Sequence, residues 1–282
     1  MGRQTATALF RFVAAAVMLL LPSVAMSADP LNLGTSSYFA ILGLNGGSVI
    51  INSGRTLAGN VGYCAGVVSH TNQKVDTFIG GVYVHSTADF NYTPATFAPS
   101  DGFHFGSTNP GVDSQLNQAY LDALAASAAA TALTPTQVLG VLGDGDSRVI
   151  NSTGPVNVIS ITSLNYNSDH MDFVSRPGFT DYFIVNVYGN FYFSQSVINT
   201  IGTDWMHILW NFPGPASIDL NKASNEFSGT ILAPLGNVTY HNPATFYGRI
   251  IAPYIYLHSD FNLETPTSVK FPTWGGVKTL YR

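Results

Sequence analysis

Charge is scarce in this chain. Only 10% of its 282 residues are Asp, Glu, Lys or Arg, against about a quarter in an ordinary soluble domain. The formal net charge is -5 and the 11 basic residues are scattered, which gives no electrostatic footprint for nucleic acid. Cysteine is nearly absent as well. Cys64 stands alone, so no internal disulfide can form and stability must come from packing. Its expected state is a buried thiol beside Gly62, Tyr63 and Val67. Glutamate occurs only at Glu226 and Glu264. There is no Gly-x-Ser-x-Gly elbow, phosphate loop, dinucleotide fingerprint or His-x-His pair. No cofactor, metal or catalytic constellation is expected.

Long apolar runs are missing too, with one short exception. Arg3 and Arg11 precede the run Phe12 to Leu21, and Pro22 and the small residues Ser23 to Ala28 follow it. This pattern predicts a secretory signal peptide over residues 1–28, cut after Ala25, Ser27 or Ala28. About ten apolar residues are too few to span a bilayer, so no integral membrane segment is expected once the signal is removed. The predicted mature chain, 29–282, is one domain, secreted or held at the cell surface.

What the chain does contain is a repeat. Phe227-Ser-Gly-Thr-Ile-Leu-Ala-Pro234 returns 19 residues later as Phe246-Tyr-Gly-Arg-Ile-Ile-Ala-Pro253, with Phe, Gly, Ile, Ala and Pro preserved. One short apolar strand per period of about twenty residues is the mark of a coil whose turns stack on one another. The predicted fold is therefore mainly all-β, a β-solenoid (β-helix). Strand centres near Ile159, Ile184, Ile208, Ile231 and Ile250 imply turns that shorten toward the C-terminus. Asn190, Asn211, Asn221, Asn237 and Asn242 stand where turns are expected. Earlier segments around Val49, Val61 and Val82 read as less regular coils, and 86–112 as a loop that crosses or covers the coil.

One helix interrupts the pattern. Residues 113–132 carry Leu116, Ala119, Tyr120, Ala123, Leu124 and Ser127 at helical spacing. Asp113 or Ser114 can cap it and Thr134-Pro135 stops it. Its alanines let it lie close along one face of the coil. Residues 265–282 are expected to cap the last coil, whose edge would otherwise be open. Exposed coil ends make self-association an open route, and deletion of 265–282 is expected to promote it.

The segment His207-Ile-Leu-Trp-Asn-Phe-Pro213, with Gly229 to Pro234 and Gly248 to Ala252, resembles the C-terminal half of choice-of-anchor A domains. The opening Leu33-Gly-Thr to Leu42, with Asn52-Ser-Gly54 and Gly59-Asn-Val-Gly62, is similar to the related ice-binding-like adhesin family. The resemblance spans about 33–262. It implies a bacterial exported β-solenoid with one flanking helix and an adhesive or structural role. The end Thr273 to Arg282 lacks a Leu-Pro-x-Thr-Gly motif and a hydrophobic tail, so free secretion or non-covalent retention is expected.

Several clusters were weighed for chemistry. Asp169, Asp172 and Asp181 with His170 and Arg176 have the most catalytic flavour. A polysaccharide-cleaving β-helix enzyme is the alternative they leave open, although a glycosidase needs two carboxylates at a set separation. Glu226 and Glu264 read as solvated corners. Asp144-Gly-Asp146 looks like half a calcium loop and lacks the remaining ligands. His241 and His258 are expected to neighbour one another on adjacent coils. The candidate ligand face is polar and aromatic: Tyr240, Tyr247, Tyr254, Tyr256, Asn237 and Thr239, with alternation expected to turn about half of such residues inward. Its expected partners are surface polysaccharide or extracellular matrix. Ice binding is the third reading, weakened by the lack of a repeated Thr-x-Thr rank.

Overall fold

Every strand pairing among the described residues of the computed structural model is parallel. Those residues are 30, 32–52, 54–71, 75–92, 97–221, 226–241, 245–258 and 261–264. The predicted signal peptide, the predicted cap 265–282 and Asn242 lie outside them.

The first group of strands is β1 (Phe39–Ile51), β2 (Gly54–Ala58), β3 (Asn60–Tyr63), β4 (Val68–Thr71), β5 (Val75–Ile79), β6 (Val82–Val84), β7 (Asp89–Tyr92) and β8 (Phe103–Phe105). Helix α1 (Pro110–Ala132) follows. The second group is β9 (Gln137–Leu142), β10 (Arg148–Asn151), β11 (Val156–Asn167), β12 (His170–Val174), β13 (Tyr182–Val187), β14 (Phe191–Ser194) and β15 (Val197–Ile201). It continues with β16 (Ile208–Asn211), β17 (Ser217–Asn221), β18 (Glu226–Leu232), β19 (Asn237–Tyr240), β20 (Thr245–Leu257) and β21 (Phe261–Glu264).

The pairings sort these strands into three stacked faces of one solenoid-like coil. The first runs β8-β6-β3-β1-β20-β18-β16-β13-β11-β9 and is the face that α1 covers. The second, here the flat face, runs β7-β4-β1-β20-β19-β17-β14-β11-β9. The third runs β5-β2-β21-β20-β18-β15-β12-β10. Long strands such as β1 and β20 bend at a corner and serve two faces.

These orders correct one expectation. The coil does not run through the stack in chain order. The chain starts mid-stack at β1, winds out to β8, returns along α1, restarts at β9 and winds back until β20 and β21 dock on β1 and β2. The last coil is therefore not an open edge. The free edges lie at β7 and β8 and at β9 and β10, because unpaired backbone groups of β20 are satisfied by β1.

The repeated octapeptide is in register: Phe227 with Phe246, Gly229 with Gly248, Ile231 with Ile250. The two phenylalanines stack at 5.1 Å. The preserved glycine makes a corner. Gly248 has φ 150°, and a Cβ there would strike the Gly229 carbonyl oxygen, so only glycine lets adjacent coils approach. One column of inward residues runs Ile159, Val185, Trp210, Ile231, Ile250. Its intervals of 26, 25, 21 and 19 residues confirm the shortening and move two of the expected centres by one and two residues. Trp210 is fully buried among Phe173, Phe191 and Phe227, and its indole N–H donates to Ser228 O at 3.0 Å.

Helix α1 begins three residues earlier than expected, because Asn109 is the cap, accepting from Gly111 N at 3.1 Å. Asp113 instead accepts from Ser86 N at 2.8 Å. Val112, Leu116, Ala119, Ala123, Ser127 and Ala130 face the coil, while Tyr120 and Leu124 are only half-buried. Asn211 is not at a turn. It is a buried strand residue that donates to Asn186 Oδ1 at 2.7 Å and to Thr131 Oγ1 at 3.0 Å, and accepts from Ser127 Oγ at 2.6 Å. Asn221 and Asn237 lie at strand ends, and Asn190 is in a turn. The segment expected as a covering loop, 86–112, partly continues the coil as β7 and β8, and Phe97 and Phe103 join the aromatic packing at that end.

Candidate functional site

Strand alternation decides what the flat face shows. In β19, Val238 and Tyr240 point inward while Asn237 and Thr239 point outward. In the second half of β20, Ile255 and Leu257 are buried while Tyr254 is 49% exposed and Tyr256 is half-buried. The parallel register then sets outward residues side by side. Ser217, Asn237, Tyr254 and Ser48 form one rank. Asn165, Tyr192, Asp219, Thr239, Tyr256 and Ile50 form the next. Successive members are about 4.8 Å apart along the stack, the spacing of paired strands.

Of the six expected ligand-face residues, Asn237, Thr239, Tyr254 and Tyr256 are thus brought together. Tyr240 is a correction: it is 2% exposed, because it occupies an inward position of the pleat. Burial raises the pKa of its phenol, and its hydroxyl has no hydrogen-bond partner among the described residues. Tyr247 is another correction. It precedes the Gly248 corner and pairs with Ser228 and Glu264 on the third face. The sequence reading missed Ser217, Asp219, Tyr192 and Asn165, since their coils are longer than the 19-residue period that revealed Tyr254 and Tyr256.

One edge of the flat face is a polar corner. His241 and His258 do neighbour each other, with ring centroids 5.7 Å apart. His258 also lies 5.4 Å from the ring of Tyr256, whose hydroxyl accepts from Asn52 Nδ2 at 2.8 Å. Asp219 Oδ1 is buried, 3.9 Å from His241 Nε2. Burial raises the pKa of Asp219 and His241 opposes that shift.

The acidic clusters are spent on the backbone. Asp169 accepts from Gly145 N at 3.1 Å, from Ser147 Oγ at 3.2 Å and from Asn167 N at 3.2 Å. Asp181 is 1% exposed and takes Arg176 through Nε at 3.1 Å and Nη2 at 2.7 Å. The Arg176 hydrogen bonds hold its carboxyl well below the usual range. Asp172 accepts from Asn199 Nδ2 at 2.7 Å, and His170 lies 3.9 Å from Asp172. In the half calcium loop, Asp146 turns back to Gly143 N at 2.9 Å and to Arg148 at 3.2 Å. Glu226 pairs in register with Thr245, and Glu264 with Tyr247, so the two glutamates share a face without facing one another. Cys64 is buried, its thiol pushed up to about 12 by desolvation. Among the described residues there is no group of three or more His, Cys, Asp or Glu that could hold a metal ion, and no helix long and apolar enough to cross a membrane.

The family model described as an ice-binding-like adhesive domain matches residues 24–262. No curated protein matches the chain. Solved structures share the fold. An ice-binding protein from an Antarctic biological consortium superposes with a TM-score of 0.61 at 18% identity, over 84% of this chain and 91% of that one. An ice-binding protein from the Antarctic ascomycete Antarctomyces psychrotrophicus gives 0.54 at 16% identity, over 86% and 99%. An ice-binding protein from an Arctic yeast, described by its antifreeze activity, gives 0.56 at 16% identity, over 84% and 96%.

Proposed function

This chain belongs to the ice-binding-like adhesive domain family, and from that premise we propose that it is an exported, non-enzymatic adhesive module. It lays the flat face against an extended hydrated surface, polysaccharide or matrix at a bacterial cell surface. The observation that carries this reading is the pair of outward ranks through Asn237, Tyr254, Thr239 and Tyr256 on strands held in unbroken register. Asp219 is the one charge among the ranked residues named above. Amides, hydroxyls and tyrosine rings at a fixed repeat suit a partner that is itself repetitive, polar and poor in charge. The resemblance of 207–252 to choice-of-anchor A domains and the signal-like residues 1–28 support export to that surface.

A second reading, ice binding, is favoured by the fold shared with the three ice-binding proteins and by the low charge of the same face. Both readings use one surface, so one pair of variants tests it. Asn237→Lys and Thr239→Lys each place an ammonium in the middle of a rank. Retention of the mature chain on insoluble polysaccharide, lost in both variants, supports adhesion. Partition into growing ice, lost in both variants, supports ice binding. Retention unchanged by either lysine removes the flat face from consideration.

A further inference from the structure

The third face is not uniform. β12 and β15 pair over five residues, His170–Val174 with Val197–Ile201. β18 and β20 pair throughout from Glu226 with Thr245 to Leu232 with Ile251. Between them, β15 and β18 pair only at Val197 and Glu226. The split falls where the coil contracts from 25 to 21 residues per turn. The surplus chain, Gly202 to His207, makes a short 3-10 turn over Trp205–His207 and leaves a ledge. The result is an open groove of about 530 Å³, within the range of roughly 300–1,000 Å³ for small-molecule sites.

Its walls combine two kinds of surface. Trp205, Tyr247 and Ile201 supply apolar and aromatic area, and Asn199, Glu226 and Asp204 supply hydrogen-bonding groups. No Lys or Arg lines it. Aromatic faces beside carboxylates and amides could serve a cation or a polyol. Two observations decide between them. Asp204 is already committed, accepting from Met206 N at 2.8 Å and from His207 Nδ1 at 2.6 Å. The indole of Trp205 already carries a cation of this chain: the Arg249 guanidinium lies 5.4 Å from its ring centroid, fixed by Nε donating to Ser37 O at 3.0 Å. A second cation on that ring would meet the first. A neutral polyol meets no such repulsion; its C–H face packs on the rings and its hydroxyls reach Asn199 and Glu226.

We propose that this groove is a second binding site, separate from the flat face, for a short stretch of neutral saccharide. It does not depend on what the flat face holds. The test is a nuclear magnetic resonance titration of the mature chain with cellohexaose, xylohexaose, maltohexaose and chitohexaose, with tetramethylammonium as the cationic probe. The expected result is a saturable shift of amides at Trp205, Glu226 and Tyr247 with at least one hexaose. Asn199→Arg, which fills the rim from an exposed position, is expected to weaken that binding about tenfold or more, and Trp205→Ala to do the same if it stays folded. Val138→Lys, at the distant β9 end, is the control. The proposal fails if no hexaose shifts these amides, if the shifts fall on the flat face, if Asn199→Arg binds as well, or if tetramethylammonium alone occupies the groove. Release of reducing ends that Glu226→Gln abolishes would overturn it in favour of a hydrolase.

Discussion

At the scale of single residues, alternation outweighs chemistry. Tyr240 has the same side chain as Tyr254, yet only Tyr254 reaches solvent. The Tyr240 hydroxyl is buried without a partner among the described residues, and removing an unsatisfied buried polar group is neutral or favourable. Tyr240→Phe is therefore expected to keep or raise the melting temperature and to leave retention on polysaccharide unchanged. A fall in either would restore Tyr240 to the functional surface. Asp181 offers a pH test. Its pKa is depressed in the folded protein by Arg176, so the pair's contribution is complete above the unfolded carboxylate value, about 3.9. It is lost as pH falls through the folded value. Asp181→Asn should lower stability at neutral pH and flatten the loss seen on acidification below about pH 4. An acid limb of unchanged steepness would show that the pair contributes little.

At the scale of elements, the helix is tied to the coil by polar bonds as well as by small residues. Asn186 donates to Ala130 O at 2.9 Å and Asn211 to Ser127 O at 3.2 Å, so two strands and the last turns of α1 share one buried network. Asn211→Ala strands Asn186 Oδ1 and the Ser127 hydroxyl, at about 1–3 kcal/mol for each buried group left without its partner. A total loss of roughly 2–4 kcal/mol is expected in urea unfolding. A loss below that range would mean the helix is held by apolar contact alone. The helix's position was readable from Leu116, Ala119, Ala123 and Ser127, because a 3–4 spacing is a local signal. The network was not, because Asn211 in isolation reads as a turn former.

At the scale of the whole molecule, the junction of β1 with β20 closes a stack that the chain enters in the middle. Ile41 meets Ile250 and Val49 meets Ile255 there, joining residues about two hundred apart in sequence. Amides of the β20 segment 245–257 should then exchange with deuterium among the slowest in the protein, and those of 137–151, at a free edge, among the fastest of the coil. The reverse order would mean that the C-terminal coil is the open end.

The sequence by itself determined the period, the parallel coil, the single helix and the preserved glycine corner. Each of these is written in spacing within twenty or thirty residues. It also determined the scarcity of charge that makes a flat polar face available. Only the tertiary structure decided which tyrosines face out, that the stack begins in its middle, and that coils of unequal length leave a groove beside Trp205. Those outcomes depend on register between strands far apart in the chain. A shift of one residue exchanges the inside of a strand for its outside, and no local pattern records which register the packed core selects.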